Sequence, residues 1–137
     1  KNGRGVLGPL GERHDLARLT AALDIACSSS AFGEGFPNVV AEAMGCGIPC
    51  VVTDVGDSAW LLDGAGTVVP PNNAAALAEA LNRMVALTPE QRHALGKAGR
   101  QRILDQFDLH AVVQQFEALF STSPPLHFSP LPKPCAA

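Results

Sequence analysis

The chain has 137 residues, 47% of them hydrophobic, with a net charge of -3 and a mean hydropathy of +0.14. That length suits one compact domain with a sizeable core, and the composition excludes wholesale disorder. The acidic balance excludes a sequence-independent grip on nucleic acid, and no apolar run approaches the roughly 20 residues that span a bilayer.

In chain order, Val6-Leu7 reads as a strand and Gly8 to Gly11 as a turn rich in glycine and proline. Asp15 is placed to cap a helix through about Ala22, with Leu16, Leu19 and Leu23 on one face. Asp24 to Ser28 reads as a strand and Ser29 to Gly35 as a loop. Pro37 fits the first position of a helix running to Met44 or Gly45, because the missing N–H costs nothing there. Pro49 to Thr53, apolar on both faces, has the character of a central parallel strand.

Ser58 to Leu62 reads as a short helix and Thr67 to Val69 as a further strand. Asn73 is placed to cap a helix through about Leu87. Thr88-Pro89-Glu90-Gln91 has the pattern of an N-cap, an N1 proline and a capping-box glutamine, starting a helix to about Gln106. Asp108 starts a last helix ending near Phe120. From Ser121 onward come five prolines in seventeen residues without periodicity, a composition expected of a disordered tail. Alternating strands and helices predict an α/β fold, a parallel sheet with helices on both faces. Ligands of such sheets bind outside the carboxyl ends of the strands, which points to Ser28 to Phe36 and Thr53 to Ser58.

The chain opens Lys1-Asn2-Gly3 rather than with Met, so it is expected to be a piece of a longer protein, and missing targeting signals carry little weight. Cys27, Cys46, Cys50 and Cys135 form no Cys-x-x-Cys pair and have no His at zinc-site spacing. The first three are expected to be small core residues and Cys135 a tail thiol. Nothing requires an oxidising compartment, and the cytoplasm is the expected location.

Chemistry concentrates in Glu34-Gly-Phe-Pro-Asn-Val-Val-Ala-Glu42-Ala-Met-Gly-Cys-Gly. From Gly35 to Thr53 the single charged side chain is Glu42, amid Val39, Val40, Ala41, Ala43 and Met44. A helix apolar nearly all round is expected to be buried, and a carboxylate there needs a partner. The helix N-terminus offers free N–H groups and a dipole that favour a phosphate, and Gly35 lets the backbone approach a ligand. Glu34 lies just before that anion site. Glu42 lies about five residues into the helix, roughly 7 to 8 Å along its axis. Two carboxylates flanking a diphosphate site suit the two sugars of a nucleotide-sugar. The residues equally allow Glu34 to be held by the helix dipole and Glu42 to pair with a core arginine, and spacing alone assigns no catalytic role.

Ser28-Ser29-Ser30, Glu34-Gly-Phe-Pro-Asn, Glu42-Ala-Met-Gly-Cys-Gly-Ile-Pro and Val51-Val-Thr-Asp-Val-Gly together resemble the GT4 family of retaining glycosyltransferases, of GT-B fold. The shared feature is two glutamates separated by seven residues and followed by a Gly-x-Pro-Val-Val type strand. The resemblance extends from Leu7-Gly8 and Asp15-Leu16 to about Phe120. It implies a Rossmann-like, partial C-terminal domain of a GT-B enzyme over residues 1–120, with 121–137 as tail.

The resemblance implies that Glu34 touches hydroxyls of the transferred sugar, the candidate catalytic position, and that Glu42 holds the ribose hydroxyls. Gly35, Phe36 and Asn38 match positions whose amides meet sugar and diphosphate, and Val39 one near phosphate and ribose. Pro37 stands where the family often has Gly, so one donor is missing from that segment. Gly56, Asp57 and Ser58 resemble a loop facing the interdomain cleft. The implied reaction moves a glycosyl group from a nucleotide diphosphate-sugar to an acceptor hydroxyl with retention, without metal or other cofactor.

Leaving-group charge is then met by the helix N-terminus and basic side chains. The implied acceptor, lipid-linked or saccharide, belongs to an N-terminal domain not matched here; the family's Arg and Lys on the diphosphate lie early in the C-terminal domain, and no matching basic pair is read upstream of Gly8. The chain alone is therefore expected to be inactive, and its sheet edge open to self-association. Polysaccharide biosynthesis is the implied setting. Two other readings remain: a GT-B nucleotide-sugar epimerase, and a non-catalytic nucleotide-binding or scaffold module.

Arg92, His93, Lys97, Arg100 and Arg102 form a basic stretch, expected to be a solvated face. Peripheral contact with the cytoplasmic membrane face is its alternative. Trp60 is expected to pack, with stacking on a base or sugar as the alternative. His14, His93, His110 and His127 have no evident catalytic partner.

Overall fold

The computed structural model describes residues 8–122. Val6-Leu7 and the proline-rich segment from residue 123 lie outside them. Three short strands, β1 (Ala26–Ser28), β2 (Cys50–Thr53) and β3 (Gly66–Val69), form a parallel sheet in the order β1-β2-β3. Ala26 lies opposite Cys50, and Cys50 opposite Gly66.

All four residues of β2 are buried, as its run of apolar and β-branched side chains demands. Cys50 and Val52 join a cluster with Val40, Ala43 and Met44 of α2 (Asn38–Gly45) and with Leu61 and Leu62 of α3 (Ser58–Leu62). Val51 joins Val69 and, from α4 (Ala74–Ala86), Ala80 and Met84. Alternation along one strand thus fills two layers. Met44 is fully buried. Burying such a side chain stabilises the fold by about 1.5–3 kcal/mol.

Helix starts follow local chemistry. Asn73 Oδ1 accepts from the Ala76 N–H at 2.9 Å and opens α4. Thr88 and Gln91 form the reciprocal capping box of α5 (Pro89–Gln106), with bonds of 3.3 and 2.9 Å. Asp108 Oδ1 accepts from the His110 N–H ahead of α6 (Leu109–Thr122), which carries the last helix two residues beyond Phe120, through Ser121 and Thr122. Asp15 is the N-cap residue of α1 (Leu16–Ala21), its carbonyl accepting from the Arg18 and Leu19 N–H groups at 3.0 and 3.1 Å, but its side chain makes no capping bond. Both its carboxylate oxygens are taken by Arg13, at 2.8 Å each, which also holds the Asp15 carboxyl below its ordinary pKa. A bidentate charged pair outcompetes a single amide.

Helix α5 crosses α2 through small residues. Gly96 and Gly99 are buried, and a Cβ at Gly96 would collide with the carbonyl of Gly47. The basic stretch of α5 is solvated at His93, Lys97 and Arg100, as the sequence reading expects, but Arg92 and Arg102 are half-buried and all three arginines bond helix ends. Arg92 donates to the Val85 and Leu87 carbonyls at the end of α4, at 3.2 and 2.6 Å. Arg100 donates to the Gly45 carbonyl at the end of α2. Arg102 donates to the Leu61 and Trp60 carbonyls at the end of α3, at 2.8 and 2.6 Å, and to Asp63 at 2.9 Å. Each guanidinium satisfies carbonyls that a helix end leaves open and sits at the negative end of a dipole. His93 and Lys97 are exposed.

The cysteines divide. Cys50 is buried as expected and Cys46 half-buried, but Cys27 is exposed, because β1 has no strand on its other side among the described residues. Burial, with a smaller contribution from Cys27, pushes the Cys50 thiol from 9.0 up to about 12.

Two outcomes follow from this packing. Arg102, whose side chain is 12% exposed, should on replacement by Ala cost about 2–3 kcal/mol in urea unfolding, whereas Lys97→Ala should stay within about 0.5 kcal/mol. Equal effects would remove the bracing role. The folded state favours the neutral Cys50 thiol, so its contribution is complete below 9.0 and is lost as pH rises from 9.0 toward about 12. Urea midpoints should fall over that range more steeply for the native chain than for Cys50→Val.

Candidate functional site

The loops leaving β1 and β2 are joined to each other. Thr53 Oγ1, at the end of β2, donates to the Ser30 carbonyl at 2.7 Å. Ser30 Oγ donates to Glu34 Oε1 at 2.5 Å. The Asp57 N–H donates to the Gly35 carbonyl at 3.1 Å. Gly56 has φ of +56°, and a Cβ there would run into the carbonyl oxygens of both Glu34 and Gly35. Only glycine accepts that backbone conformation and that approach together. Ser58, 2% exposed, donates to the Val55 carbonyl at 2.7 Å and closes the second loop. The half-buried Glu34 is thereby held from the serine side, and its Oε2 accepts no hydrogen bond among the described residues.

Pro37 is the N-cap of α2, one position earlier than the sequence reading placed it, with φ of -80° and a fully buried ring. Its carbonyl accepts from the Val40 and Ala41 N–H groups at 3.0 and 3.1 Å. The Asn38 and Val39 N–H groups donate to nothing among the described residues. Both residues are exposed, Val39 at 67%. Two free amides at the positive end of a helix dipole are groups that can hold an anion.

Glu42 is exposed, against the expectation of burial. Helix α2 buries Val40, Ala43 and Met44 and turns Asn38, Val39 and Glu42 outward, positions three and four apart that share one face. Glu42 makes no hydrogen bond or ion pair among the described residues, so the core-arginine alternative does not hold there. With Leu16, Ala17, Thr20 and Cys46 it lines a cavity of about 320 Å³ between α1 and α2.

Phe36 forms an aromatic group with Trp60 and Phe107. The Asp57 carboxylate is exposed and does not cap α3. Sequence reasoning assigned no role to Ser30 or Thr53, which orient the Glu34 loop. A hydroxyl residue ending a buried apolar strand was the available signal. Chemically the site can hold an anion on two amides, with one carboxylate a turn further along the same face and another on the adjoining loop. Among the described residues no group of three or more His, Cys, Asp or Glu could hold a metal ion, and no helix is long and apolar enough to cross a membrane.

Residues 5–86 match the family described as Glycosyl transferases group 1. The chain is 29% identical over 121 residues to an N-acetyl-alpha-D-glucosaminyl L-malate synthase of Bacillus anthracis, covering 81% of this chain and 29% of the relative. It is 31% identical over 115 residues to an exopolysaccharide phosphotransferase of Streptomyces coelicolor, covering 82% and 12%. It thus spans less than a third of the length of either. Among solved structures, a sucrose-phosphate synthase from Thermosynechococcus elongatus is 34% identical with a TM-score of 0.68, over 79% of this chain and 28% of that one. The C-terminal domain of a group 1 glycosyl transferase from Francisella tularensis has a TM-score of 0.64 at 21% identity, over 75% and 53%, a likeness of fold.

Gly56→Ala should cost about 1–3 kcal/mol and move the amide resonances of Gly35 and Phe36. Gly64→Ala, at φ of +84° in open space, supplies the control for backbone strain alone. If both variants lose the same stability and the Gly35 and Phe36 resonances stay put, the two loops are not coupled through residue 56.

Proposed function

The chain belongs to the group 1 glycosyl transferases, with the α/β fold of GT-B C-terminal domains, and from that premise we propose that its parent protein transfers a sugar from a nucleotide diphosphate-sugar to an acceptor hydroxyl. One observation carries the reading: the free Asn38 and Val39 amides share the exposed face of α2 with an unpartnered Glu42, beside a Glu34 fixed by Ser30. The diphosphate sits on the two amides. Pro37 offers no third donor there, and its buried ring sets the direction in which α2 starts. Glu42 accepts from the ribose hydroxyls, where a carboxylate bonds strongly to a donor pair. Glu34 accepts from hydroxyls of the transferred sugar through Oε2 while Ser30 occupies Oε1.

As the donor bond breaks, negative charge grows on the diphosphate. The α2 amides are already aimed, so they stabilise that charge without reorganising. Glu34 acts by positioning the sugar in this account. The GT4 assignment, retention at the anomeric carbon, independence of metal and a cytoplasmic, polysaccharide-building setting are part of the same proposal and rest on the glutamate motif. Most acceptor contacts come from the remainder of the parent protein. Arg92, Arg100 and Arg102 are committed to helix ends, which leaves little of the basic stretch for a membrane surface.

Titration of the chain with UDP, GDP and ADP, followed by amide NMR, tests the reading. One nucleotide should bind with its largest shifts at Asn38 and Val39, and Glu42→Ala should weaken it about tenfold or more. A folded chain that binds none of the three, or binds equally well without Glu42, would contradict it.

A further inference from the structure

Phe36, Trp60 and Phe107 meet where the segment before α2, helix α3 and the end of α5 converge. Ring centroids lie 5.2 Å apart for Trp60 and Phe107, 5.5 Å for Phe36 and Phe107, and 6.5 Å for Phe36 and Trp60. Such clusters are ordinarily covered, since each ring carries a large apolar area. Here Trp60 is 55% exposed and Phe36 37%. The Arg102 guanidinium stands 6.0 Å from the Trp60 ring centre and 5.8 Å from that of Phe107, and its bonds to the Trp60 and Leu61 carbonyls fix it. The rings are held in place while part of their surface faces solvent.

Beside them opens a cavity of about 400 Å³, lined also by Asp105, Gln106 and Gln115. That volume lies within the range of about 300–1,000 Å³ typical of small-ligand sites. The Gln106 and Gln115 amides make no hydrogen bond among the described residues. Asp105 uses Oδ1 for Gln101 at 2.8 Å, leaving Oδ2 open. Each glutamine amide offers donors and an acceptor.

Aromatic rings beside two amides and a carboxylate select among ligand classes. A pyranose presents polarised C–H groups to the electron-rich face of a ring, and around its edge hydroxyls that both donate and accept. An anion is disfavoured: among the described residues one carboxylate and no cation line the cavity, and the nearby Arg102 is bonded to Asp63 and to the Trp60 and Leu61 carbonyls. A wholly apolar ligand would leave the polar rim unpaired. The nucleoside end of the donor is already assigned to Glu42.

We infer that this cavity is a saccharide subsite, with Trp60 as its stacking platform and Gln106, Gln115 and Asp105 on the hydroxyls. Because Phe36 continues directly from Glu34-Gly35, a sugar held there adjoins the transfer site and suits a unit of the acceptor. That last assignment rests on the glycosyl-transfer reading; sugar binding itself does not.

Trp60 is the single tryptophan of the chain, so its emission reports this cavity directly. The intact chain is titrated with the methyl α- and β-pyranosides of glucose, galactose, mannose and N-acetylglucosamine, and separately with UDP. At least one glycoside should change the emission saturably, and Gln115→Ala should weaken that response about fivefold. The far-UV circular dichroism of the variant and its affinity for UDP should be unaltered, since Gln115 is exposed. An emission unmoved by every glycoside up to its solubility limit overturns the inference. So does an emission that answers UDP alone, which would make the cavity a base site. A sugar response in a chain that binds no nucleotide would uphold the subsite and sink the donor reading instead.

Discussion

Residue 56 has no side chain, and the backbone of the loop after β2 therefore lies directly against the carbonyls of Glu34 and Gly35. That approach turns two strand ends into one surface. With Thr53 bonded to Ser30 and Asp57 to Gly35, the segment leading into α2 has a fixed course. The course matters because Glu34 precedes Pro37 by three residues, and Pro37 determines where the helix amides begin. A carboxylate on a free loop would lose entropy on meeting a ligand; one already held by Ser30 loses less.

The same economy appears beneath the site. Helix α2 is short, with its free amides at one end and its open carbonyls at the other, and Arg100 of α5 meets the carbonyl of Gly45. Arg92 and Arg102 treat α4 and α3 alike. One long helix, brought close by Gly96 and Gly99, therefore ties the ends of three others. An anion at the start of α2 and a cation at its end both favour the same dipole, so the bracing helix and the proposed ligand act in one direction on α2.

Local chemistry was legible in the sequence. Thr88 and Gln91 lie three residues apart and find each other without help from the fold, and Asn73 needs only Ala76. Ser58 to Leu62 and the fully buried β2 were also readable from composition over a few residues. Contacts across long separations were not. Arg100 and Gly45 are 55 residues apart, and no periodicity on α5 announces the carbonyls waiting there. Burial of α2 was misjudged because Val39 is apolar yet exposed, so hydrophobic neighbours gave Glu42 no core environment. Asp15 was misread for a nearer reason, since Arg13, two residues away, claims the carboxylate. The glutamate pair at the candidate site was visible as a motif, but its support by Ser30, Thr53 and Gly56 required the sheet to be assembled.

The most direct test is a crystal structure of the chain with the nucleoside diphosphate that binds it best. The account predicts phosphate oxygens within hydrogen-bond distance of the Asn38 and Val39 amides, the ribose hydroxyls on Glu42, and an unmoved contact between Gly56 and the Glu34 loop. A nucleotide bound elsewhere, or one that leaves Glu42 without a ligand contact, would contradict it.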